Sequence, residues 1–181
     1  MSRLVFLLRG VNVGGARRLK MAELRGLAES LGLEQVETYL QSGNLLARGA
    51  EAPDSLAARL SEALGTLLGR EAPAVFAITA KTLEARVEGN PFLARGADPA
   101  TLHLTFVKGA SSSAALASPG SLDPARFGPD EFALGADAIY VRCPEGYART
   151  KLNNAFFERR LRAIATTRSW KTVEALLERA R

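Results

Sequence analysis

Val36-Glu37-Thr38-Tyr39-Leu40-Gln41-Ser42-Gly43-Asn44-Leu45-Leu46-Ala47-Arg48 is the stretch that decides the fold of the first half of this chain. Val36 to Gln41 is strand-like, with Thr and Tyr among its residues. Ser42-Gly43-Asn44 carries the residues of a tight turn, and Leu45 to Arg48 resumes an extended pattern. Two short strands joined by a glycine-containing bend form a β-hairpin. What flanks the hairpin then fixes the class.

Upstream, residues 3–9 form an apolar run in which Leu4, Phe6 and Leu8 share one face and Val5 and Leu7 the other. Both faces require burial, so this strand is expected at the centre of a sheet. Residues 19–31 read as a helix, with Leu24, Leu27, Ala28 and Leu31 at helical spacing and Gly32 as its stop. Downstream, Pro53 to Leu68 repeats the helical pattern through Leu56, Leu60, Ala63, Leu64 and Leu67. Pro73 to Thr79 is a further strand. The order β-α-β-β-α-β within about eighty residues is the split βαβ, ferredoxin-like pattern. Right-handed crossovers lead us to expect the first strand between the first hairpin strand and the Pro73–Thr79 strand.

A second series follows. Residues 80–90 form a short helix broken at Asn90-Pro91, and residues 96–100 a loop. Thr101 to Lys108 alternates, with Leu102, Leu104 and Phe106 on one face and His103 on the other. Ser111 to Ser118 reads as a short helix and residues 119–129 as a Pro/Gly-rich loop. Glu131–Leu134 and Ala138–Arg142 are strands, and residues 153–162 and 169–180 are helices with Asn153 and Ser169 as N-caps. The pattern is β-α-β-β-α with a helix where a last strand is expected. The fold class is therefore α+β, built of two ferredoxin-like units with antiparallel or mixed sheets. Residues 1–80 are the first unit, 81–100 a helical linker, and 101–181 the second unit with an extra C-terminal helix.

Composition narrows the function classes. The 181 residues contain no apolar run long enough for a transmembrane helix, and the first strand is too short for a signal peptide. A single cysteine, Cys143, excludes an internal disulfide and points to the cytoplasm. The net charge of +5 is unevenly spread. Residues 1–20 hold five basic residues and no acid, residues 149–181 hold nine against three, and the stretch between is net acidic. Basic ends that meet would attract phosphate or nucleic acid, whereas basic side chains on solvated helix faces would not need to meet.

Three segments carry candidate sites. Arg9-Gly10-Val11-Asn12-Val13-Gly14-Gly15-Ala16-Arg17-Arg18 empties from the first strand into a loop with glycines and three arginines. Gly14 and Gly15 can present backbone N–H groups to an anion, Arg9 and Arg17 supply charge, and Asn12 orients. The same glycines also suit a plain tight connection. The spacing is neither a P-loop nor a dinucleotide fingerprint. The hairpin offers Tyr39, Gln41, Ser42 and Asn44 to a polar ligand, or merely to its own turn. The third segment joins Tyr147, Arg149, Lys151, Asn153 and Asn154 to Thr166, Thr167, Arg168 and Trp170. Basic and aromatic residues of this kind bind phosphate polymers, although Val173 and Leu177 place Trp170 on a core-facing helix stripe.

Leu7-Leu8-Arg9-Gly10-Val11-Asn12-Val13-Gly14-Gly15 with Lys20-Met21-Ala22-Glu23-Leu24, Thr38-Tyr39-Leu40-Gln41-Ser42-Gly43-Asn44, and Lys151-Leu152-Asn153-Asn154 with Thr166-Thr167-Arg168-Ser169-Trp170-Lys171-Thr172-Val173 together resemble the bacterial family of unknown function DUF1697. Val11 and Ser169 stand where the family pattern has isoleucine and asparagine. The resemblance implies an α+β fold of ferredoxin-like units and no particular activity.

Other single residues say less. His103, the one histidine, has no neighbouring ligand cluster, so a metal site is not expected and a solvated position on the sheet is. Cys143 before Pro144 lacks the signs of a nucleophile and reads as a packed apolar residue. The sequence thus points to binding of a phosphate-containing ligand, a nucleotide or nucleic acid, through Arg9, Asn12, Gly14, Gly15, Arg17, Gln41, Ser42, Asn44, Lys151 and Arg168. In this reading the two basic ends approach each other. No cofactor, metal or membrane partner is expected. An enzyme acting on an anionic substrate in the same cleft, and a non-catalytic interaction or oligomerisation module, remain open alternatives.

Overall fold

The first strand is central, as its two apolar faces require. In a computed structural model that describes residues 2–12, 18–69, 71–109, 124–135 and 137–181, β1 (Ser2–Leu8) pairs antiparallel with a neighbour on each side. Leu4, Val5, Phe6, Leu7 and Leu8 are all buried. The chain then runs through α1 (Met21–Ser30), β2 (Glu34–Tyr39), β3 (Asn44–Gly49), α2 (Pro53–Leu68) and β4 (Val75–Thr79). The sheet order is β2-β3-β1-β4. One expectation needs correction. The hairpin strand beside β1 is β3, not β2. Both β1 and β2 run antiparallel to β3, so they are parallel to each other across a gap that β3 fills. The α1 crossover leaves that gap, and the hairpin return occupies it.

Local chemistry sets the ends of these elements. Pro53 opens α2, where its missing N–H costs nothing, and Gly69 closes it in the left-handed region at φ +63°. Thr79 Oγ1 accepts from the Thr82 N–H at the start of α3 (Ala80–Glu88). Asn90, read from sequence as a helix break, caps the short α4 (Pro91–Ala94) by accepting from the Phe92 N–H at 2.9 Å. Leu24 and Ala28 of α1 and Leu56, Leu60 and Leu64 of α2 pack on Leu4, Phe6, Leu8, Leu45 and Ala47 of the sheet.

The second sheet contains β5 (Leu102–Lys108), β6 (Glu131–Leu134), β7 (Ala138–Arg142) and β8 (Ile164–Ser169), in the order β6-β7-β5-β8. All neighbours are antiparallel, and the order repeats that of the first sheet. Helix α5 (Asn154–Leu161) lies between β7 and β8 in the chain, and α6 (Trp170–Ala180) follows β8. The sequence reading had no β8: Ile164–Ser169 is the strand it found missing. The expected helix at residues 111–118 lies outside the described residues. Phe157 and Leu161 of α5 pack on Ile139 and Val141 of the sheet with Phe132, Cys143 and Leu152.

The molecule is thus mixed α+β, with two four-stranded antiparallel sheets and helices. By contact it divides into one unit of Met1–Leu83 with Leu176–Arg181 and a second of Glu84–Ala175.

Candidate functional site

In the first unit, β1 runs out between the hairpin and the segment leading into β4. The Leu8 N–H donates to the Gly43 carbonyl and the Arg9 N–H to the Ala74 carbonyl, each at 2.8 Å. Two residues in the left-handed region then turn the chain, Gly10 at φ +69° and Asn12 at φ +58°. Asparagine tolerates that conformation because its short polar side chain bonds locally.

The Asn12 side chain makes three hydrogen bonds. Its Oδ1 accepts from the Leu19 N–H at 2.8 Å, and its Nδ2 donates to the Leu19 carbonyl at 3.0 Å and to the Gln41 carbonyl at 2.7 Å. One side chain therefore ties residue 12 to residue 19 and both to the hairpin. Residues 12 and 19, which bracket the stretch from Val13 to Arg18, are thereby held together. Gly14, Gly15 and Arg17 lie outside the described residues. Arg9 is half-buried at the root of the loop, and Arg18 is exposed at its far end.

The hairpin is held from within. Asn44 is fully buried, and its Nδ2 donates to the Tyr39 carbonyl at 2.8 Å and to Ser42 Oγ at 3.0 Å. Gly43 sits at φ +75°, where a Cβ would lie 2.5 Å from Val11 Cγ2 and 2.8 Å from Leu8 Cβ. A hydrogen is required there so that the hairpin can press on the loop. Tyr39 lies under the Arg179 guanidinium, 4.4 Å from its ring centroid, and Arg179 Nε also donates to Glu37 Oε1 at 3.1 Å. Two segments that are separate in sequence, 9–12 and 39–44, are therefore one packed cluster. Within it Asn12 and Asn44 commit polar groups to the fold, so they position rather than reach outward. Gln41 and Ser42 are exposed at the tip.

Sequence reasoning missed one residue of this cluster. Leu40 has φ +59° and is 53% exposed. Nothing in the sequence pattern marks it, because leucine is neither a turn former nor a polar contact.

In the second unit, the two halves of the third segment meet. Asn153 caps α5 by accepting from the Phe156 N–H at 3.1 Å. Asn154 Oδ1 accepts from Thr167 Oγ1 at 2.7 Å, and Thr167 shares a 2.7 Å hydrogen bond with Thr105 on β5. Lys151 is exposed in the turn before α5. Arg168 is 8% exposed, and its Nη1 donates to Thr166 Oγ1 at 2.9 Å and to the Thr167 carbonyl at 3.0 Å. It pairs across from Leu104, on the sheet face opposite the Thr105–Thr167–Asn154 line. Trp170 is wholly buried with Val173, as its helical spacing requires, and its Nε1 donates to Glu174 Oε1 at 3.0 Å.

His103 departs from the expectation of a solvated residue. Its ring stacks on Tyr147 with centroids 4.6 Å apart. Burial lowers its pKa, an effect that the Thr101 backbone partly offsets. Tyr147 rises from the 3-10 turn at Tyr147–Arg149, an element that sequence pattern alone does not announce. Cys143 is buried as expected. Burial pushes its thiol pKa up, with Thr150 opposing through a hydrogen bond and Asp130 adding to the rise. A thiol held protonated is a poor nucleophile.

Among the described residues, no group of three or more His, Cys, Asp or Glu side chains is placed to hold a metal ion. Among them, too, no helix is long and apolar enough to cross a membrane. Two hollows are lined by other residues. One of about 470 Å³, in the first unit, is bounded by Leu27, Leu31, Ala63 and Leu67 of α1 and α2. The other, of about 280 Å³ in the second unit, is lined by Arg95, Glu131 and Arg142.

Comparison with known proteins places these features in a family. No curated protein matches the chain. A solved structure, that of the conserved bacterial protein SP0830 from Streptococcus pneumoniae, is 26% identical, with 99% of each chain covered and a TM-score of 0.78. The model of a family described as "Protein of unknown function (DUF1697)" matches residues 1–140, and the chain belongs to that family.

Proposed function

We propose that the first unit binds a phosphate-containing ligand, a nucleotide or a nucleic acid, on the loop of residues 9–18. The observation that carries this reading is the Asn12 clamp. It fixes both ends of a glycine-rich, arginine-bearing loop at the outlet of a central strand. Ordering a segment on binding weakens affinity, and flanking residues held in place before the ligand arrives reduce that cost. Backbone N–H groups at Gly14 and Gly15 would face the phosphate, with Arg9, Arg17 and Arg18 supplying charge. Gln41 and Ser42, exposed on the hairpin that Asn12 grips, would supply polar contacts.

This reading takes each four-stranded sheet with its helices as a ferredoxin-like unit. The repeated order β2-β3-β1-β4 and β6-β7-β5-β8 supports it, and so does the β-α-β-β-α-β sequence of the first unit. It also takes the segment 81–100 as the connection between units and the protein as cytoplasmic, in keeping with a lone buried thiol.

The test is binding to a short labelled oligonucleotide and to a labelled nucleotide across a range of salt concentrations. Nucleic acid binding gives a steep fall of affinity with salt, and mononucleotide binding gives saturation with a shallow dependence. Arg17→Ala should lower affinity and flatten the salt slope. Gly14→Val should abolish binding while the melting transition persists. Equal binding by the parent and Gly14→Val would overturn the proposal.

A further inference from the structure

Leu40 is hard to account for by folding alone. A γ-branched side chain in the left-handed region is strained, and Asn or Gly at this turn position would not be. The side chain stands 53% exposed; Ile164 is the other exposed large hydrophobic residue among those described. Every neighbour in the turn has a structural task. Gly43 admits Val11 and Leu8, Ser42 and Tyr39 accept from Asn44, and the Gln41 carbonyl accepts from Asn12. Leu40 is absent from the packed core of its unit. It is nonetheless fixed in place, since the 2.7 Å bond from Asn12 to Gln41 falls on the next residue. Strain that persists in a well-held segment points to function.

We infer that Leu40 receives a nucleobase, and that the ligand of this site is a phosphate bearing an exposed base: a nucleotide or a single strand. The inference rests on the phosphate-binding reading of the 9–18 loop. Leucine offers apolar surface and no hydrogen bond, so it suits the flat face of a base and not a sugar or a phosphate. Arg9 and Arg18 at the two ends of the neighbouring loop provide charge for the phosphate attached to that base. A duplex keeps its base faces stacked and hidden, whereas a nucleotide or single strand offers them. Loop and hairpin tip would then divide the ligand between them, phosphate on one and base on the other.

The experiment compares inorganic pyrophosphate, ribose 5-phosphate, AMP, the single strand dT8 and a G·C-rich duplex that stays paired at the assay temperature on the full chain, by calorimetry, for the parent and Leu40→Asn. Burying ~40 Å² of apolar surface against Leu40 corresponds to about a fivefold preference for AMP over ribose 5-phosphate. Leu40→Asn should erase that preference, leave ribose 5-phosphate binding unchanged, and melt at or above the parent's temperature. Tighter binding of dT8 than of AMP assigns the site to single strands, and equal binding assigns it to mononucleotides. The inference alone is overturned if AMP and ribose 5-phosphate bind the parent equally, if the preference survives in Leu40→Asn, or if the duplex binds as well as dT8. If none of the five binds, the phosphate reading fails and the inference falls with it.

Discussion

Replacing Asn12 by alanine tests the clamp on which the proposed site depends. The substitution removes all three side-chain hydrogen bonds. Two of them serve the backbone of Leu19, a residue only 1% exposed, so its N–H and carbonyl lose their partner where water has little access. Each buried polar group left unsatisfied costs about 1–3 kcal/mol. The bond to the exposed Gln41 carbonyl is worth less, about 0.5–1 kcal/mol. Alanine must also hold φ +58°, which costs it about 1 kcal/mol. Allowing for partial relaxation, Asn12→Ala should lose about 3–5 kcal/mol in urea unfolding. Two companions separate the causes. Asn12→Gly loses the same bonds without the backbone strain and should be milder by about 1 kcal/mol. Asn12→Asp keeps the acceptor for the Leu19 N–H but turns a charged oxygen toward the Leu19 and Gln41 carbonyls, so it should be at least as damaged as Asn12→Gly. An alanine variant within about 1 kcal/mol of the parent, or an aspartate variant as stable as the parent, would refute the clamp.

Other consequences of the packing are equally direct. Gly43→Ala should cost about 1–3 kcal/mol more than Gly10→Ala, because only the former drives a Cβ into Val11 and Leu8, and comparison of their urea midpoints checks this. Trp170→Ala should lose about 3–5 kcal/mol, and a variant that unfolds like the parent would place the indole outside the core. His103 is the one histidine, so its imidazole signal is unambiguous by NMR and should titrate below the usual range. Its pKa is lowered by folding, so the unfolded chain binds the proton more readily. Stability from this group should be full above the unfolded value near 6.5 and fall as pH drops from there through the folded pKa. Unfolding curves at pH 8 and pH 5 should therefore differ less in His103→Gln than in the parent.

Wherever apolar spacing drives burial, the fold was readable in the chain. Pro53–Leu68, Glu131–Leu134 and Ala138–Arg142 begin and end where proline, glycine and alternation place them. β8 was not readable, because its buried positions are Ala165, Thr166 and Arg168, none of them a large apolar residue. The helix before it ends in the left-handed region at Arg162, not at a glycine. The β-branched cluster Ile164, Thr166 and Thr167 was the available signal. In the candidate site, sequence supplied the residues but not their division of labour. Asn12, Gln41, Ser42 and Asn44 do gather in one place. Yet that Asn12 and Asn44 bond inward depends on a loop and a hairpin meeting across 29 residues, which local pattern does not encode. His103 eluded the reading for the same reason: its partner Tyr147 is distant in sequence.

The most direct test of phosphate binding by the 9–18 loop is an amide NMR titration of the full chain with inorganic pyrophosphate. The account predicts saturable shifts confined to residues 9–20 and 40–43, lost in Gly14→Val and weakened in Arg17→Ala. Shifts absent from those residues, or scattered in step with ionic strength over the basic surface of both units, would contradict it.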